Sequence, residues 1–135
     1  MSKLFINLPV ADLAASTVFY QSLGFTKNDN FSDTHASCMI WDENIYVMLL
    51  THEFIKGFLP EGKTIADAHT TAQVLNALSM NSKSDVDIMF DKAISAGGKK
   101  TIATQDHGFM YGRDFEDLDG HIWELFWMDE AAAQG

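Results

Sequence analysis

The chain has 135 residues, 47% of them apolar, and a formal charge of −10. That length and apolar share suit one domain that buries roughly 65–70% of the surface its unfolded form exposes. The excess of acid repels phosphate backbones and anionic lipid heads, which excludes nucleic acid and membrane surfaces as partners.

One arginine, Arg113, stands among nine basic residues, too few to neutralise several phosphates together. Cys38, the single cysteine, has no internal partner for a disulfide. The longest apolar run, Ile45 to Leu50, falls far short of the ~20 residues that cross a bilayer. Met1-Ser2-Lys3-Leu4-Phe5 lacks the basic segment and apolar run of an export signal, so a cytoplasmic protein is expected.

The first predicted element is a strand over Leu4 to Val10, followed by Asp12 as the N-cap of a helix. Leu13, Ser16, Phe19, Tyr20 and Leu23 recur at helical spacing, and Gly24 ends the pattern. Strands are predicted next near Phe25 to Phe31, Ala36 to Trp41 and Ile45 to Thr51, the last two joined by a turn at Asp42-Glu43-Asn44. The stretch from Glu53 to Thr71 holds Phe54, Ile55, Phe58 and Leu59 beside Gly57, Pro60 and Gly62, and reads as a connector or a lid.

The second half repeats the plan. A strand over Ala72 to Met80 leads to a cap at Ser82 or Ser84, and Val86, Met89, Phe90, Ala93 and Ile94 form a helical stripe ended by Gly97-Gly98. Strands follow near Lys100 to Thr104, Phe109 to Glu116 and His121 to Met128, with turns at Asp106-His107-Gly108 and Asp117-Leu118-Asp119-Gly120. The order strand-helix-strand-strand-strand thus occurs twice. The expected fold is α+β: two βαβββ modules, about 1–52 and 72–128, forming a curled mixed β-sheet cup with helices outside, within one domain spanning 1–135.

The paired modules, Asn7-Leu8-Pro9-Val10-Ala11-Asp12-Leu13, the stretch from Phe19-Tyr20 to Leu23-Gly24-Phe25, and Asp117-Leu118-Asp119-Gly120-His121-Ile122-Trp123-Glu124-Leu125 together resemble the vicinal oxygen chelate superfamily of glyoxalases, bleomycin-resistance proteins and extradiol dioxygenases. Asp106-His107-Gly108-Phe109-Met110-Tyr111-Gly112-Arg113, running into that closing stretch, is similar to a bacterial subgroup labelled predicted lactoylglutathione lyase. The resemblance implies a ligand cleft built from both modules and, in members that are enzymes, a divalent metal held by the first and last strand of each. It also implies a homodimer.

Carried over residue by residue, the four metal positions fall on Phe5, Met48, Leu75 and Glu124. Phenylalanine and leucine do not coordinate metals, and a thioether is too soft for nickel, zinc, magnesium or manganese. The expectation is therefore a protein that binds a small organic molecule without a cofactor. The alternative is a glyoxalase-like lyase or isomerase with a divalent metal in a reorganised site, or with Glu124 as general base.

Strand alternation sends Glu124 to one face with Ile122 and Phe126, where a carboxylate among apolar neighbours is a surviving metal ligand, a base of raised pKa, or the partner of a buried donor. Tyr111 and Arg113 share a face of the preceding strand beside His107 and could grip an anionic or carbonyl-bearing ligand together with Glu124. The competing reading has His107 decorating a turn and Arg113 in an internal ion pair with Glu116, Asp117 or Glu124. The expected ligand pocket is lined by Phe5, Asn7, Met48, Tyr111, Arg113, Glu124 and Phe126. His35, His52, His69 and His121 are expected at the surface or at a strand entrance, and Cys38 in the core.

Overall fold

The structure, a computed structural model, describes residues 1–134. The chain divides into two compact units, Met1–Ala68 and the residues from His69 onward.

In the first unit the elements are β1 (Leu4–Val10), α1 (Leu13–Leu23), β2 (Thr26–Asn28), β3 (Ala36–Asp42), β4 (Ile45–Thr51) and the short helix α2 (His52–Lys56). The strands form an open sheet in the order β1-β4-β3-β2, with β1 parallel to β4 and the other pairs antiparallel. The helix starts where a side chain can satisfy its free N–H groups: an Asp12 carboxylate oxygen accepts from the Ala15 N–H at 3.0 Å. It stops at Gly24, whose φ of 109° suits a residue without a Cβ.

Phe19, Tyr20 and Leu23 on α1 are buried, as are Val10, Met39, Val47 and Leu49 on the sheet. Each such side chain contributes about 1.5–3 kcal/mol by leaving water. Two hydroxyls enter this layer and satisfy one another, Thr17 and Ser37 lying 2.7 Å apart. Because side chains alternate along a strand, committing Val10, Met39, Val47 and Leu49 to α1 turns Phe5, Asn7, Cys38, Tyr46 and Met48 to the opposite face.

The second unit contains β5 (Leu75–Ser79), α3 (Lys83–Ser95), β6 (Lys99–Lys100), β7 (Gln105–Asp106), β8 (Met110–Glu116), β9 (Ile122–Met128) and α4 (Glu130–Gln134). Its sheet runs β5-β9-β8-β6, with β7 also on β8, and again the first and last strands pair in parallel. Of the two candidate caps, Ser82 serves, its hydroxyl accepting from the Asp85 N–H at 3.0 Å. Val86, Met89, Phe90 and Ala93 of α3 are buried, as are Phe115, Trp123 and Leu125 of the sheet.

The expected α+β plan of two βαβββ modules is present, with three boundaries corrected. The strand expected from Phe25 to Phe31 ends at Asn28, because Asn28 caps a single helical turn over Asp29–Phe31. The strand expected from Ala72 begins only at Leu75. The strand expected from Lys100 to Thr104 is broken. Lys100 pairs with Phe115 and Gln105 with Gly112, so four residues on one side face two on the other, a bulge in which the Thr101 N–H still donates to the Asp114 carbonyl at 3.4 Å and 102–104 leave the ladder.

Candidate functional site

On the face of the first sheet turned away from α1 lies a cavity of about 630 Å³. It is lined by Lys3, Phe5, Asn7, Asn28, Phe31, Cys38, Tyr46 and Met48. Register explains why these residues meet. Asn7 is paired with Met48, Met48 with Cys38, and Cys38 with Asn28, so one row crosses all four strands: amide, thioether, thiol, amide.

Beside that row, Phe5 stacks on Tyr46 with ring centroids 4.5 Å apart and planes 17° apart, a favoured aromatic arrangement. Lys3 Nζ donates to the Tyr46 hydroxyl at 3.3 Å and sits 5.4 Å from the ring centre. Phe5 is 50% exposed and Phe31 70%, so both rings present apolar surface beside the cavity. Cys38 forms part of the floor at 1% exposure, and burial pushes its thiol above the usual value, so it packs as a small apolar group rather than reacting.

Phe5, Asn7 and Met48 were expected to line a common pocket, and the structure brings them together. Lys3, Asn28, Phe31 and Tyr46 were not foreseen. Tyr46 was accessible through alternation, two residues before Met48 on the same strand; Asn28 and Phe31 depend on the helical turn that ends β2.

In the second unit the expected grouping of Tyr111 and Arg113 with Glu124 and Phe126 is corrected. Register opposes Arg113 to Leu125 and Tyr111 to Trp127, while Glu124 lies opposite Asp114 and Phe126 opposite Gly112. Tyr111 and Arg113 therefore share the α3 side of the sheet, and Glu124 and Phe126 the other. Alternation fixes the face within each strand, but the phase between the two strands depends on the turn geometry.

The Arg113 guanidinium is committed to α3. An Nη1 to Asp87 Oδ1 distance of 3.0 Å makes a charged hydrogen bond, Asp91 lies 3.9 Å away, and the plane covers the Phe90 ring at 3.8 Å. The ion pair anticipated with Glu116, Asp117 or Glu124 is thus made with the helix instead. Tyr111 donates to the same Asp87 carboxylate at 2.6 Å, and that bond, with burial and the Asp87 charge, raises the phenol above its ordinary pKa. His107 is exposed at the β7–β8 hairpin, tilted toward Phe109. His35, His52 and His69 are exposed and His121 half-buried.

Glu124 has a neighbour that the sequence did not single out. Asp114 lies directly opposite it on β8, 8% exposed. Burial first, and then the Glu124 charge, raise the Asp114 carboxyl above the usual carboxylate range.

The four positions at which the resemblance places a metal do not offer a fitting donor set. Phe5 and Leu75 have no donor atom, Met48 offers only a soft thioether, and Glu124 remains. Among the described residues no three His, Cys, Asp or Glu side chains gather as a group able to hold a metal ion.

A family model described as Glyoxalase/Bleomycin resistance protein/Dioxygenase superfamily matches residues 4–125. The chain belongs to that superfamily. Solved members of the glyoxalase fold are similar over nearly the whole chain. A hypothetical protein from S. aureus shares 25% identity at a TM-score of 0.77, covering 94% of each chain. A glyoxalase/bleomycin resistance protein/dioxygenase family enzyme from Burkholderia phytofirmans PsJN shares 17% at a TM-score of 0.78, covering 95% of this chain and 99% of its own. The fosfomycin resistance protein FosX from Mesorhizobium loti shares 14% at a TM-score of 0.69, covering 98% and 96%. At 17% and 14% identity the likeness is one of fold. No curated protein matches the chain. Among the described residues no helix is long and apolar enough to cross a membrane.

Proposed function

We propose that this superfamily member is a binding protein for a small organic molecule, held in the cavity of the first sheet without a metal. The observation that carries the reading is the convergence of Phe5, Asn7, Cys38, Tyr46 and Met48 on one concave face at a volume typical of small-molecule sites. The floor is apolar and soft, and the polar groups are few and peripheral. Titration with phenylnaphthylamine, a neutral dye that fluoresces in apolar sites, tests it. One saturable site is expected, weakened at least about tenfold by Met48→Trp, which fills the floor, while thermal unfolding stays cooperative. Binding unchanged by that substitution would place the dye elsewhere and remove the reading.

A second reading, a lyase or isomerase related to lactoylglutathione lyase, is favoured by one observation: Glu124 stands opposite a buried Asp114. Burial and the Glu124 charge raise the Asp114 carboxyl, and two carboxyls in unequal surroundings are the arrangement that acid–base chemistry uses. Turnover of the hemithioacetal of methylglyoxal and glutathione, abolished by Glu124→Gln, would support this reading over the first.

A further inference from the structure

The lining of the first-sheet cavity has a charge pattern opposite to that of the chain. The protein carries −10 overall, yet of the cavity-lining residues only Lys3 is charged, and no carboxylate lines the wall. Lys3 has no carboxylate partner among the described residues; it contacts the Tyr46 hydroxyl and ring. An ammonium held over an aromatic wall at the mouth of an apolar cavity is a ready partner for an anion, because the low-dielectric floor strengthens the attraction.

The floor sets the rest of the ligand. Asn7, Met48, Cys38 and Asn28 span four strands, a row of about 14 Å at the usual strand spacing. Its middle is sulfur, polarizable and adaptable to a flat π-surface, and its ends are amides. The Asn7 amide has no hydrogen bond among the described residues, and Asn28 uses its oxygen to accept from the Asn30 N–H, which leaves its amide N–H groups as donors. Phe5, stacked on Tyr46 yet half exposed, offers a second flat surface at the side.

Resting on the binding reading above, we propose that the cavity takes a planar organic anion, its ring on the Met48 and Cys38 floor beside Phe5 and its anionic oxygens at Lys3 Nζ. A cation of the same shape is rejected, since it would meet Lys3 and find no counter-charge. Lys3 is then the residue that sets ligand charge, and salt weakens binding by screening this one exposed charge.

The test uses the whole chain and three naphthalenes of one shape: naphthoate, naphthalenemethanol and naphthylmethylammonium, each displacing bound phenylnaphthylamine. Naphthoate is expected to bind about tenfold more tightly than the alcohol, in keeping with a charge-assisted hydrogen bond at a partly exposed site, and the ammonium more weakly than either. Lys3→Met, which keeps the hydrocarbon over Tyr46, should bring naphthoate to the level of the alcohol and leave the alcohol and the unfolding midpoint unchanged. Lys3→Glu should invert the order of naphthoate and ammonium. Equal binding of all three, or a naphthoate preference that survives Lys3→Met, overturns the anion assignment while leaving the cavity reading in place. Failure of the dye and all three compounds to bind overturns both.

Discussion

Arg113 shows how much a single residue's role depends on which face of a strand it occupies. As the one arginine of the chain it was the natural candidate to grip a ligand, yet its guanidinium lies between Asp87 and Phe90 on the α3 side. The group suits both partners at once: one Nη donates to the carboxylate while the guanidinium carbon stands over the ring. Lysine can do neither as well. Arg113→Lys is therefore expected to lower stability by about 1 kcal/mol in urea unfolding, while leaving the naphthalene displacement constants unchanged. The reverse result, weaker binding at unchanged stability, would return Arg113 to the ligand site.

At the scale of elements, the β8–β9 ladder brings two acids face to face. Like charges directly opposite one another across a ladder are destabilising, and here one of them, Asp114, is also largely out of water. Below the ordinary carboxylate value of 3.8 Asp114 is protonated whether the chain is folded or not. As pH rises from there toward its raised native value, the unfolded chain gives up the proton first, so the folded state binds more protons and stability falls. Asp114→Asn removes that slope. The variant should be more stable than the parent near neutral pH, by up to ~1 kcal/mol, and the gap should close on acidification to about pH 3. A gap that widens on acidification would mean that the Asp114 carboxylate is stabilised in the fold.

The same ladder marks the limit of what could be read from residues alone. The two long helices, α1 and α3, were legible because Asp12 and Ser82 supply caps, Gly24 and Gly97 supply stops, and the buried stripes between them are long enough to show their period. The long strands were legible for the same reason. The two-residue pieces Lys99–Lys100 and Gln105–Asp106 were not, since a bulge erases alternation and neither piece buries an apolar side chain. Phase between strands was the larger loss. It decides that Asp114, rather than Arg113, faces Glu124, and it depends on how the turn over Asp117 to Gly120 is wound: the Asp117 carboxylate accepts from the N–H groups of Asp119 and His121.

For the whole molecule, the repeated plan puts the same kind of surface in each unit, a sheet with one face under a helix and the opposite face turned away from it, but the two opposite faces differ in chemistry. In the first unit it carries Phe5, Asn7, Cys38, Tyr46 and Met48; in the second it carries Asp114, Glu124 and Phe126. The central claim is that a ligand chooses the first. Methionine methyl NMR reads this directly, because Met48 lies on the cavity floor, Met39 on β3 and Met89 on α3 are buried in the cores, and Met110 and Met128 are paired in the second sheet. With methyl-labelled methionine and increasing naphthoate, the Met48 resonance should move upfield under the aromatic ring and saturate with the displacement constant. Met89, Met110 and Met128 should stay in place. A stationary Met48 alongside a saturable shift of Met110 or Met128 would contradict the account and move the site to the face that carries Glu124.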